Sequence, residues 1–297
     1  MSAPYVGRFA PSPTGPLHFG SLVAAVASWL DARAAGGTWL VRMEDVDTTR
    51  TVPGAADDIL RTLAAAGLEW DGEVVRQSER TALYEAALER LRAAGLVYRC
   101  KCSRREIADS GLAGIEGAIY PGTCRSIGLG AATAGADRMR APGGTIAFRD
   151  RVQGDIGHDV ARDIGDFVLR RRDGLHAYQL AVVVDDAAQA VTDIVRGADL
   201  LWSTPRQVAL QRALGFPTPR YLHMPVATDA RGEKLSKQTL APPVGETDVA
   251  AQLAAALRFL SQPVPEARAP REILAAAARA WDPSRVARVA SRPVERA

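Results

Sequence analysis

Apolar positions in this chain alternate between two rhythms. Tyr5, Val6 and Phe9 read as a short buried strand, and from Ser21 to Ala35 the positions Leu22, Val23, Val26, Trp29 and Leu30 recur at helical spacing. Thr38 to Met43 is a β-rich run ending in polar Glu44-Asp45. Gly54 opens a helix expected to reach Leu68, with Ile59, Leu60 and Leu63 on its inner face. Ser78 is expected to cap the next helix, which runs to Gly95 with Leu83, Ala87, Leu88 and Leu91 inward. Val97 to Arg99 would then rejoin the first sheet. Such alternation predicts a parallel sheet with helical crossovers.

From residue 100 to about 144 the period is lost and glycines accumulate, so this stretch reads as an insertion. Strands are expected again at Thr145 to Phe148, Asp166 to Arg171, Leu180 to Asp185 and Val191 to Val195, with Asp173-Gly174 as a turn pair. Ser203-Thr204-Pro205 starts a helix that Gly215 ends, and Tyr221 to Pro225 is a short strand. Two Ala-rich amphipathic helices follow, at about 246 to 260 and 270 to 281.

Composition narrows the class. With 297 residues, 47% of them hydrophobic and 24% charged, the chain can bury a core and is not a disordered polymer. A net charge of +3 permits a nucleic-acid partner without demanding one. No apolar run reaches membrane-spanning length and the chain enters a strand with no basic leader, so a cytoplasmic protein is expected. Arg285, Arg288, Arg292 and Arg296 are either a cationic stripe for RNA or a solvated terminus.

Candidate chemistry lies in three places. Pro11, Pro13, Gly15 and Pro16 force an ordered turn, which puts His18 and Gly20 where a loop opens into a helix. Free N–H groups and the dipole favour an anion such as phosphate there, and Gly20 presents no side chain to block it. Of 37 basic residues only Lys101, Lys234 and Lys237 are lysine, and two of these share the segment that follows Asp229 to Glu233. A compact charge on a flexible stem can follow a departing phosphate as arginine's planar fork cannot. Cys100, Cys102 and Cys124 all lie in the insertion, where a Cys-x-Cys pair with a third cysteine approximates zinc spacing but lacks a fourth ligand. Three small apolar residues are the alternative reading.

The elements His18-Phe19-Gly20-Ser21 and Lys234 to Gln238 resemble the two signatures of class I aminoacyl-tRNA synthetases. Gly7-Arg8-Phe9-Ala10-Pro11-Ser12-Pro13-Thr14-Gly15 and Val182-Val183-Val184-Asp185-Asp186 narrow the resemblance to the glutamyl/glutaminyl branch, over roughly residues 5 to 240. Ser21 stands where a histidine is more usual, and the lysine loop ends in Gln238. The resemblance implies an α/β, Rossmann-type catalytic domain. Its halves would be 1–99 and 145–240, with an inserted zinc-binding subdomain at 100–144 and a short helical C-terminal region at 241–297. Fewer than sixty residues follow the lysine loop, so no anticodon-binding domain is expected. That length, and the pattern Cys100-x-Cys102 to Tyr120-x-x-x-Cys124, resemble the glutamyl-Q tRNA(Asp) synthetases.

Membership would imply ATP as substrate with Mg²⁺, tRNA-independent activation of L-glutamate, and its transfer to queuosine in the anticodon of tRNA(Asp), by a monomer. One structural Zn²⁺ per chain would be held by Cys100, Cys102, Tyr120 and Cys124. His18, Lys234 and Lys237 would be catalytic, with His18, Gly20, Ser21 and Lys237 at the nucleotide. Arg8, Phe9, Ala10, Pro11, Ser12, Glu44, Tyr178 and Arg196 would surround glutamate. The competing readings are a truncated glutamyl-tRNA synthetase charging the acceptor end and a catalytically silent RNA-binding paralogue. The latter would be expected to lose His18 or Lys237. A glutamine-using enzyme would want fewer pocket arginines.

Overall fold

The computed structural model describes residues 4–130, 132–229, 231–235, 244 and 248–294. The first apolar run forms β1 (Val6–Phe9), which pairs in parallel with β2 (Thr38–Met43). Helix α1 (Phe19–Ala34) crosses between them, with Leu22, Val23, Val26 and Leu30 fully packed. After α2 (Ala55–Ala65), β3 (Val75–Arg76) adds in parallel to β2. The second helix therefore stops three residues before the expected Leu68.

Ser78 does not cap the next helix. It sits in a 3₁₀ turn, and its N–H and Oγ both donate to Asp45 (2.9 and 2.8 Å). Helix α3 (Thr81–Ala93) starts beyond it; Ala87, Leu88 and Leu91 are buried as expected, but Leu83 is 43% exposed and Tyr84 completes the buried face at i, i+4, i+7 spacing with Leu88 and Leu91. Strand β4 (Val97–Cys100) does not rejoin the first sheet. The insertion then supplies α4 (Arg104–Ala108), the β5–β6 hairpin (Ala113–Gly114, Gly117–Ala118) and β7 (Ala136–Met139). Strand β7 pairs antiparallel with β4 on one side and with β10 (Phe167–Arg170) on the other. Between them the chain forms the β8–β9 hairpin (Thr145–Asp150, Gly154–Asp159) and the single turn α5 (Val160–Asp163).

The run expected as a strand at Leu180 to Asp185 is instead helix α6 (Tyr178–Ala188). Residues 179–186 are all buried, so no polar face exposes a period of 3.6 and the run looks like a buried strand. Strand β11 (Asp193–Gly197) pairs in parallel with β12 (Arg220–Met224), through α7 (Thr204–Leu214). Pro205 lies in the first turn of α7 and Gly215 closes it at a positive φ of 67°. Ser203 makes no cap bond, because its hydroxyl donates to Glu116. Thr192 N–H donates to Val6 O (2.9 Å), linking β1 to the residue that precedes β11.

Strand β13 (Val226–Thr228) pairs with β14 (Ser291–Pro293) near the end of the described chain. The Ala-rich helices form as α8 (Val249–Phe259) and α9 (Pro270–Arg279), whose Leu253, Leu257, Ile273 and Leu274 share one core with α1. At the basic end Arg285 and Arg288 are exposed. Arg285 pairs with Asp282 (3.5 Å), Arg292 donates to Phe259 O and Ser261 Oγ (3.0 Å each), and Arg296 lies outside the described residues. No helix among the described residues is long and apolar enough to cross a membrane.

Candidate active site

The proline-rich loop is pinned to the end of β2. Pro11 O accepts from Glu44 N–H and Pro13 O from Val52 N–H, each at 2.9 Å. It delivers His18 to the N-cap of α1, where Nδ1 accepts from Ser21 N–H (3.3 Å). That bond places the ring proton on Nε2, facing Ser21 Oγ at 3.0 Å. The backbone carrying Lys234 closes over this helix end: a Cβ at Gly20 would lie 3.4 Å from Leu235 O. Leu235 N–H donates to Ala227 O (2.8 Å), and Lys234 Nζ pairs with Asp199. A cavity of about 480 Å³ lies here, lined by Ala10, Ser12, His18, Gly20, Ser21 and Lys234 among others, with Phe9 and Pro11 also on its wall. Ser236, Lys237 and Gln238 lie outside the described residues.

A second cavity, of about 860 Å³, opens beside the first, and Ser12 and Arg50 line both. Glu44 and Tyr178 stand on its wall, between β2 and α6 on one side and Cys102 and Arg104 of the insertion on the other. Burial pushes the Glu44 carboxyl up from its ordinary value, while Arg42 and Arg8 pull it back. A cationic group entering beside Glu44 would favour the ionised form. Burial, then the Glu44 charge, raise the Tyr178 hydroxyl, with Arg196 and Arg8 opposing. Arg8, Glu44, Tyr178 and Arg196 thus act on one another electrostatically, although they are widely spaced in the chain.

Arg8 and Arg196 are buried, line neither cavity, and are held by neighbouring side chains. Arg8 Nε donates to Asp186 Oδ1 (3.1 Å), and Arg42 Nη1 reaches the same oxygen (2.8 Å). Asp185, the preceding residue, accepts from Gln77, Arg80 and Tyr84 at 2.6–2.9 Å. Arg196 Nε donates to His223 Nε2 (2.9 Å) and Nη2 to Thr204 Oγ1 (2.8 Å). The sequence reading gave Arg42, Asp150, Asp185, Asp186 and His223 no role. A pair of acids closing an apolar run is itself a signal, because buried carboxylates require cations.

In the insertion, the three cysteine sulfurs all lie within 4.8 Å of one another, with Cys102 and Cys124 at 3.6 Å. Ligands about 2.3 Å from a tetrahedral zinc stand about 3.8 Å apart, so this convergence is compatible with a zinc site. Tyr120 Oη lies 3.7 Å from Cys102 Sγ and accepts from Cys124 N–H (2.7 Å).

Residues 5–259 match the family model described as tRNA synthetases class I (E and Q), catalytic domain. A protein of Dechloromonas aromatica named glutamyl-Q tRNA(Asp) synthetase is 63% identical over 272 residues, covering 91% of this chain and 90% of its own. This chain belongs to the glutamyl-Q tRNA(Asp) synthetase family. A member of that family from Pseudomonas aeruginosa is 54% identical over 299 residues, covering 100% of both chains. The class I synthetase fold is shared more widely. A glutamate-tRNA synthetase from Elizabethkingia anophelis superposes with a TM-score of 0.82 at 24% identity, covering 99% of this chain and 68% of that one.

Proposed function

We propose that this chain activates L-glutamate with ATP, without tRNA, and transfers the glutamyl group to queuosine in the anticodon of tRNA(Asp). The observation that carries this is the junction at Ser12 and Arg50 of a phosphate-ready cavity with one walled by Glu44 and Tyr178. The names of the relatives support queuosine as the acceptor. Glutamate's α-carboxylate oxygen attacks the α-phosphorus, the bond to pyrophosphate breaks, and glutamyl-adenylate forms. A hydroxyl of the queuosine cyclopentene diol then attacks the acyl carbonyl, AMP leaves, and the hydroxyl proton passes to solvent.

Charge builds on the phosphoryl oxygens during the first step, so fixed donors matter most. His18, the Gly20 N–H and the Ser21 hydroxyl hold the phosphates. Lys237, with Lys234, meets the departing pyrophosphate, and Mg²⁺ accompanies ATP. Arg8 and Arg196 take the carboxylates of glutamate, Glu44 accepts from its ammonium, Tyr178 supplies a hydroxyl, and Phe9, Ala10, Pro11 and Ser12 line the wall. The catalytic halves are 1–99 and 145–240, the zinc subdomain 100–144 and the helical tail 241–297, in a cytoplasmic monomer.

Glutamate alone is expected to drive exchange of labelled pyrophosphate into ATP, with no tRNA present. Glutamine should be at least about 10-fold poorer, because its amide leaves a buried guanidinium unpaired. Strict tRNA dependence of the exchange would contradict this reading.

Zinc, held by Cys100, Cys102, Cys124 and Tyr120, would order the insertion and take no part in the chemistry. Metal analysis should return about one zinc per chain, and Tyr120→Phe should lose it to a chelator faster than the unaltered protein does. Metal-free protein whose insertion resists proteolysis as well as the loaded form would refute the assignment.

A further inference from the structure

We propose that His223, held by Asp150, is the positioning residue that aims Arg196 at a carboxylate of the bound amino acid. This rests on the reading of Arg196 as a pocket residue and adds what orients it. Three neighbouring strands set the row. On β12, His223 pairs directly with Arg196 of β11, and Tyr221 of β12 pairs with Asp150 at the end of β8. His223 Nδ1 lies 2.6 Å from Asp150 Oδ2, and its Nε2 lies 2.9 Å from Arg196 Nε.

Asp150 is itself fixed, accepting from Val152 and Gln153 N–H at 3.0 and 2.8 Å. An arginine Nε–H only donates, so His223 Nε2 must be bare, and the single ring proton sits on Nδ1, donated to Asp150. Burial, then the neighbouring guanidinium, hold the imidazole neutral with a pKa of about 4, against the pull of Asp150. Thr204 fixes Nη2, and the Tyr221 ring stacks on the imidazole (5.9 Å, 13°) and lies beneath the guanidinium (5.6 Å).

One donor is left over: Arg196 Nη1 is buried and has no hydrogen-bond partner among the described residues. Arg8 differs in kind, because its anchor is the carboxylate of Asp186, which cancels charge. A neutral imidazole accepts from Arg196 without cancelling its positive charge, which is left for a ligand. That is the physical use of a histidine at this position.

The test compares His223→Leu, His223→Gln and Arg196→Lys by pyrophosphate exchange, titrating glutamate and ATP separately. His223→Leu keeps the bulk and loses the acceptor. It is expected to raise the glutamate KM about 10-fold or more while leaving the ATP KM within about 2-fold. His223→Gln places Oε1 near the Nε2 position and should recover most of the loss. An unchanged glutamate KM in His223→Leu, with Arg196→Lys impaired, overturns the proposal and leaves the pocket reading standing. An unchanged glutamate KM in both variants overturns the pocket role of Arg196 and the proposal with it. Parallel rises in both KM values for His223→Leu would mark a general structural loss and also overturn it. Nitrogen-15 NMR of the unaltered protein decides the matter if the leucine variant does not fold. Of four histidines, the one whose signals vanish in His223→Gln should be neutral and protonated on Nδ1 at pH 7. A proton on Nε2 refutes the proposal.

Discussion

Replacing Arg42 by alanine is expected to remove about 3–5 kcal/mol of stability, the usual cost of stripping one partner from a buried ion network. Its side chain is 0% exposed. Nη1 lies 2.8 Å from both Asp186 Oδ1 and Gln189 Oε1, Nη2 lies 3.4 Å from Glu44, and Nε lies 3.9 Å from Asp185. Burial opposes the charge, but Asp186, Glu44 and Asp185 together hold the guanidinium pKa above its ordinary value. Without it, Glu44, Asp185 and Asp186 lose a shared cation, and Asp186 keeps its ion pair with Arg8. Arg42→Met should be nearly as damaging, because the lost partner is charge and not bulk. Urea unfolding followed by tryptophan fluorescence reads the effect directly. A loss below about 1 kcal/mol would mean that water or a rearranged side chain replaces the guanidinium.

The larger effect on chemistry is expected at Lys237. Lys237→Ala should lower the turnover of pyrophosphate exchange about 100- to 1000-fold, the scale of losing one donor aimed at developing charge. The glutamate KM should stay within about 3-fold if, as proposed above, the lysine acts on the leaving group in the transition state. Lys237→Arg should remain impaired, because a planar fork does not replace a compact ammonium. Near-normal turnover in both variants would take the loop out of the mechanism.

The candidate nucleotide residues could be picked out of the sequence because they are local to one turn. Prolines, a glycine and a helix start lie within ten residues of His18, and the loop lysines stand out in a chain that otherwise uses arginine. The cysteines were legible for the same reason, since metal spacing is a short-range pattern and the sulfurs do converge. What supports the amino-acid pocket was not legible. Asp150 and His223 are 73 positions apart, and Arg42 and Gln189 are 147 apart, so only the tertiary fold unites them. Helix α6 escaped for a different reason: packed on all sides, it carries no polar face to reveal its period. Leu83 was placed inward with Ala87, Leu88 and Leu91, whereas the buried face of α3 runs through Tyr84.

The central claim is the destination of the glutamyl group, and one measurement addresses it. Radiolabelled glutamate, ATP and this protein are incubated with queuosine-containing tRNA(Asp), and the 3′-terminal adenosine is then removed with a nuclease. The account predicts that the label stays with the tRNA, and that tRNA(Asp) carrying unmodified guanosine in the anticodon takes up none. Label that leaves with the terminal adenosine, or that loads equally onto tRNA lacking queuosine, would contradict it and make the protein an acceptor-end synthetase.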